Sequence, residues 1–166
     1  MAGQSVQQTF EKVKEYLLDM FGSKSIIPLE DNGFWLRHGS TVVFVFVLPF
    51  SSDEQDRSIV NVWSRVTVGT PLSSELAVFL IKENARFRFG AFRYYEDQES
   101  PSNSSVIFEY NLLGEAITKQ FLFDAVVAVA GTSDSYDEQI ASRFGGKTVQ
   151  QIAQEELGDD EDEEWE

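Results

Sequence analysis

The stretch Thr41–Leu48, TVVFVFVL, constrains the fold more than any other part of the chain. Up to the closing leucine every residue is β-branched or aromatic, so it reads as a strand. Val and Phe fall on both of its faces. Such a strand is covered on both sides, or one side is an interface. The whole apolar run, Thr41 to Phe50, is too short to span a bilayer.

The neighbouring segments supply partners for this strand. Upstream, Val6, Phe10, Val13, Leu17 and Phe21 step by four, three, four and four, which predicts a helix over Ser5–Phe21 ended by Gly22. Phe34–Arg37 reads as a short strand and His38-Gly39-Ser40 as a turn. Pro49–Arg57 reads as a polar loop, and Ser58–Val68 as the next strand. On that strand Val60, Val62, Val66 and Val68 point one way, and Ile59, Trp63 and Thr67 the other, with Asn61 and Arg65 among them. Thr70-Pro71 offers a helix start, with Leu72, Leu76, Phe79 and Leu80 as its apolar stripe and an end near Glu83. Strands are expected at Phe87–Tyr94 and Val106–Leu112, joined by an exposed, mobile, Ser-rich loop. A long helix over Glu115–Phe144 is opened by Gly114 and closed by Gly145-Gly146. Gly131 in its middle marks a kink or a close approach. Thr148–Leu157 has the pattern of a short amphipathic helix.

Strands that follow one another through short turns imply an antiparallel sheet, with helices segregated against it. The expected fold is therefore α+β, with a five-stranded antiparallel sheet in the order α-β-β-β-α-β-β-α. One domain spans residues 1–157, and residues 158–166 form a disordered acidic tail.

A chain of 166 residues with 42% hydrophobic and 13% aromatic residues can build a packed core. It has no cysteine, which removes disulfides, thiolate catalysis and Cys-based zinc sites. No basic-then-apolar leader precedes Phe10, so a cytoplasmic location is expected. The net charge is −15, and nine acidic residues lie between Thr148 and Glu166, leaving about −6 for the remainder. Nucleic acid and anionic membranes carry the same sign and are poor partners.

Few residues suggest chemistry. His38 is the single histidine and reads as a turn residue, since a general base needs positioned partners. Asp159–Glu164 lacks the spacing and the glycine of a calcium loop. Asp134, Asp137 and Glu138 share a helix face that reads as its wet side. No cofactor, metal or catalytic set is expected. Arg86, Arg88 and Arg93 alternate with Phe87, Phe89 and Phe92 on what reads as one strand. That would be a positive patch able to clamp a partner's carboxylates, or charges that blunt a strand edge. The apolar surplus of a sheet with two apolar faces also exceeds what three helices would cover.

Three segments carry a family resemblance. Gly33-Phe34-Trp35-Leu36, the stretch LAVFLIKENARFRFGAF over Leu76–Phe92, and FDAVVAVAGTSDSYDEQIASRFGG over Phe123–Gly146 resemble the YbjN-like proteins, which are similar to type III secretion chaperones. The match, with its order of elements, spans most of residues 5–146. It implies a peptide-binding, chaperone-like fold that is often dimeric and does no catalysis. Nothing in the chain points to a secretion system, and the acidic tail with Trp165 lies outside the pattern.

The resulting expectation is a protein that binds another polypeptide through Trp63, Arg65, Arg86, Arg88, Phe89 and Phe92, with the segment along a strand edge or in a groove between helix and sheet. A structural homodimer with no free groove is the alternative, and a small-molecule-binding protein or enzyme a further one.

Overall fold

The computed structural model describes residues 4–52 and 55–162. Helix α1 spans Gln4–Phe21, strands β1 to β4 span Ile26–Leu29, Gly33–His38, Thr41–Ser52 and Gln55–Val68, and helix α2 spans Ser74–Asn84. Strands β5 (Ala91–Tyr95) and β6 (Ser105–Leu113) follow, then helices α3 (Lys119–Phe144) and α4 (Val149–Asp162). The strands form one sheet in the order β1-β2-β3-β4-β6-β5, antiparallel at every pairing. The fold class is the expected α+β, with six strands rather than five. The missed strand is β1, which pairs Ile26–Leu29 with Leu36–Gly33 and carries a proline.

Alternation along the strands divides the sheet into two unlike faces. Phe34 and Leu36 on β2, Val43, Val45 and Val47 on β3, Val60 and Val62 on β4, and Val106 and Phe108 on β6 are all buried. They pack under α1 through Val6, Val13 and Leu17, and under α3 through Leu122, Val126, Val129 and Ile140. Phe10 stacks on Phe34 with ring centres 5.1 Å apart. Polar contacts in this layer are paired: Ser64 donates to Ser133 at 2.7 Å, and Thr9 and Ser58 share a hydrogen bond of the same length.

Several local expectations are revised. Pro49–Arg57 is not a loop: β3 runs on to Ser52 and β4 starts at Gln55, with Pro49 opposite Ser58. Pairing with β2 stops at Phe46, so beyond it that side of β3 is an edge, where a proline is tolerated. A bulge between Arg65 and Thr67 resets the alternation. Val66 and Thr67 therefore both point into the core, and Val68 does not share a face with Val60 and Val62.

Thr70 does not cap α2. Its hydroxyl bonds Thr67 and Gly145 O, strapping the end of β4 to the end of α3, and Ser73 accepts from Leu76 N instead. Leu72 precedes the helix and is exposed. The long helix starts at Lys119 with Thr118 as its cap, after a 3-10 turn over Gly114–Ala116. It is continuous through Gly131, where an added methyl group would touch nothing. Gly145 and Gly146 end it with φ of +90° and +86°. A strap follows, in which Val68 and Lys147 exchange backbone hydrogen bonds of 2.9 and 2.8 Å. Helix α4 continues to Asp162, into the segment expected to be a disordered tail, while residues 163–166 lie outside the described residues.

Candidate functional site

The face of the sheet turned away from the helices carries the side chains that alternate with the core. Across it, Ile27, Trp35, Phe44, Trp63 and Glu109 lie on successive strands in one transverse row. Phe44 and Trp63 stack with ring centres 4.4 Å apart. Phe46 lies flat over Gly33, where a Cβ would come within 2.3 Å of the ring. Leu48 and Phe50 extend the apolar surface along β3 and are exposed. None of α1, α2 or α3 covers this side. Where α4 begins, Val149 and Gln150 approach Val42 and Arg65 at the end of the sheet.

A hollow of about 540 Å³ sits on this face, floored by Asn61, Trp63, Arg65, Ile107 and Glu109. Its far wall is Tyr95 with Asp97 and Asn103 of the β5–β6 connection. That connection, expected to be mobile, is tied by its own hydrogen bonds: Asp97 accepts from Glu99 N and Ser100 N, and Ser104 accepts from Asp97 N. A larger hollow of about 730 Å³ lies on the other side of the connection, against Pro71, Leu72 and Tyr94. Its walls are mostly loops, whereas the sheet face is a rigid strand platform, the better support for a binding constellation.

The charge of the open face differs from that of the chain. Its strands project Arg37, Arg57, Arg65 and Arg93 against the acidic Glu109. Arg93 bridges Glu109 at 2.8 Å, yet the arginine side chain is 65% exposed and the glutamate 13%. Arg57 lies 3.9 Å from Glu115. Glu115 loses solvation by partial burial, but hydrogen bonds from Ser5 and Ser58 N, with Arg57 nearby, hold its carboxyl below the ordinary range. Arg37 and Arg65 are exposed and make no ion pair among the described residues.

Both edges of the sheet are blunted. β1 contains Pro28, which has no N–H to offer. On β5 the outward groups of Phe92 are taken by one side chain: Asn84 Oδ1 accepts from Phe92 N at 2.7 Å, and Asn84 Nδ2 donates to Phe92 O at 3.1 Å.

The six residues singled out from sequence do not form one surface. Trp63 and Arg65 lie on the open face. Phe92 is 4% exposed and sits in the core, against Phe87, Phe108 and Tyr136 at 5.5, 5.2 and 5.0 Å. Residues 85–90 are a turn rather than strand, because Gly90 adopts φ +76° and Phe87 folds inward. Arg86 and Arg88 are therefore in that turn and do not share a strand face, and Arg86 pairs with Glu83 at 3.1 Å. Phe89 is 67% exposed and stacks on Tyr110, on the helix-bearing side. Trp35, Phe44, Tyr95, Ile107 and Arg37, which share the open face with Trp63 and Arg65, were not singled out from the sequence. Their signal was the alternation with core residues on the same strands.

Among the described residues no group of His, Asp and Glu is placed to hold a metal ion. Asp134 accepts from Ser40, and Asp137 accepts from Glu138 N at 2.6 Å. No described helix is long and apolar enough to cross a membrane.

The model of the family described as T3SS (YopN, CesT) and YbjN peptide-binding chaperone 1, TY-Chap1, matches residues 7–152. The chain belongs to this family. Membership agrees with the resemblance carried by the strand at Gly33, the helix–turn–strand at Leu76–Phe92 and the long helix. The fold is similar to that of a chain in the crystal structure of the ExsC–ExsE complex, which aligns with a TM-score of 0.55 at 15% identity. The alignment covers 79% of the present chain and 95% of the other. No curated protein matches the chain.

Proposed function

We propose that this TY-Chap1 chain is a non-catalytic, cytoplasmic, chaperone-like binder of another polypeptide, and that the client lies on the open sheet face. One observation carries the reading: the helices α1 to α3 pack on one side, and the other bears a half-exposed row of aromatic residues around the hollow at Trp63. Trp and Arg side by side are the usual composition of binding hot spots. Because Pro28 and Asn84 blunt the edges, the client lies across the face rather than adding a strand. Trp63 and Arg65 remain in the proposed site, Trp35, Phe44, Tyr95 and Ile107 join it, and Arg86, Arg88, Phe89 and Phe92 leave it.

The test is site-specific photo-cross-linking in the native cell. A benzophenone residue in place of Trp63 or Ile107 is expected to capture a second polypeptide, and one in place of exposed Val127 on α3 is not. Capture from Val127 alone would overturn the assignment.

A second copy of this chain is a further proposed partner, through a different surface. Helix α2 exposes Val78 (50%) and Ile81 (70%), with Leu72 nearby, and apolar side chains on an otherwise two-sided helix favour a partner there. Ile81→Lys is expected to turn a dimer into a monomer by light scattering; a monomeric wild type would end this reading.

A further inference from the structure

The open face departs from the rest of the molecule in the sign of its charge, and that difference bears on what it binds. The chain as a whole carries −15, so at long range it attracts basic segments and repels acidic ones. Locally the order is reversed. Arg37, Arg57, Arg65 and Arg93 rise from the strands; of the two carboxylates at the hollow, Glu109 is bridged by Arg93, and Asp97 on the far wall accepts from Glu99 N and Ser100 N. Arg37 and Arg65 are exposed without an ion pair among the described residues. Screening over about 8 Å at physiological salt leaves the near charges to decide affinity once contact is made.

We propose that the polypeptide segment taken by this face is acidic as well as apolar. The inference rests on the reading of the open face as the client surface. An aromatic or large aliphatic side chain of the client fills the hollow over Trp63 and Ile107. Carboxylates of the client meet Arg65, beside the hollow, and Arg37, two strands further along the same face, where each guanidinium fork can donate two hydrogen bonds to a carboxylate. The exposed arginines then act against basic partners: a basic segment is drawn to the acidic molecule but finds like charges where it must dock.

The test uses two labelled 12-residue peptides that share the same Trp and Leu anchors, one with Glu at every other position and one with Lys there. Binding to the full-length chain is read by fluorescence anisotropy. Exposed pairs are individually weak, and two or three together give roughly tenfold in Kd. The Glu peptide is expected to bind about tenfold tighter than the Lys peptide. Arg37→Glu with Arg65→Glu is expected to abolish or invert that preference. Both positions are exposed, so an unchanged melting temperature verifies that the fold is intact. A Lys peptide that binds as tightly as the Glu peptide, or tighter, overturns the inference. In that case Trp63→Ala decides the underlying reading: weakened binding keeps the open face as the client surface, and unchanged binding removes it. Failure of the wild type to bind either peptide removes both.

Discussion

Asn84 closes an edge of the sheet with a single side chain, and its removal has two separable effects. The amide satisfies both outward backbone groups of Phe92, at 2.7 and 3.1 Å. Each such hydrogen bond contributes about 0.5–1.5 kcal/mol net, so Asn84→Ala should cost about 2 kcal/mol. Alanine is a better helix residue than asparagine by a few tenths of a kcal/mol, which offsets little of this at the last position of α2. For a chain of this length about 2 kcal/mol lowers the melting temperature by about 4–8 °C. Thermal unfolding followed by circular dichroism, with urea melts as a check on cooperativity, measures that loss. The second effect is on association. With Phe92 N–H and C=O released, β5 becomes an edge on which another chain can pair, and the variant should gain mass in light scattering with rising concentration. A loss below about 0.5 kcal/mol together with an unchanged mass would refute the view that Asn84 seals the edge.

Further outcomes follow from the same packing. Phe92→Ala should destabilise by about 3–5 kcal/mol in urea melts, as a core residue does, whereas Trp63→Ala, at a half-buried side chain stacked on Phe44, should cost less, about 1–2 kcal/mol. Gly131→Ala should stabilise by about 0.5–1 kcal/mol, since the position is exposed, helical and free of neighbours. On acidification, Glu83 and Glu115 should govern the loss of stability. The hydrogen bond from Tyr136, with Arg86 and Arg143 nearby, holds the Glu83 carboxyl below its ordinary 4.5, as the contacts of Glu115 do for that group. A depressed acid stabilises the fold above its unfolded value, so this contribution is present above about pH 4.5 and is lost as pH falls through the folded values. Asp137, pushed up chiefly by burial, acts with the opposite sign. Glu83→Gln with Glu115→Gln should flatten the acid limb of a stability profile, and an unaltered limb would remove these groups as its cause.

Much of the scaffold was legible because period and punctuation agreed. The stripe Val6–Phe21 before Gly22 and the alternation of Ser58–Val66 each had one physical solution. The apolar surplus on Thr41–Leu48 allowed two outcomes, cover on both faces or one face as an interface, and its even positions lie on the side of the sheet turned away from the helices. The errors lie where two readings of a local pattern competed. Thr70-Pro71 and Ser73 are both plausible helix starts, and only the strap to Gly145 decides between them. Arg86–Phe92 alternates like a strand, but Gly90 in the left-handed region and the aromatic cluster around Phe87 pull its first part, up to Gly90, into a turn. Of the proposed site, Trp63 and Arg65 were named from the sequence, but the charged side chains on the neighbouring strands assemble through register, which no single segment encodes.

The bulge at Val66 carries a consequence for how such a surface changes over generations. On β4 up to Arg65, odd positions answer to whatever rests on the sheet and even positions to the helices beneath it. Substitutions at 59, 61, 63 and 65 can retune recognition while leaving the hydrophobic layer as it is. A deletion of one residue between them would exchange the two sets at once, burying Arg65 and exposing valines. Lineages of this protein should therefore drift freely by substitution along these strands and almost never by insertion or loss.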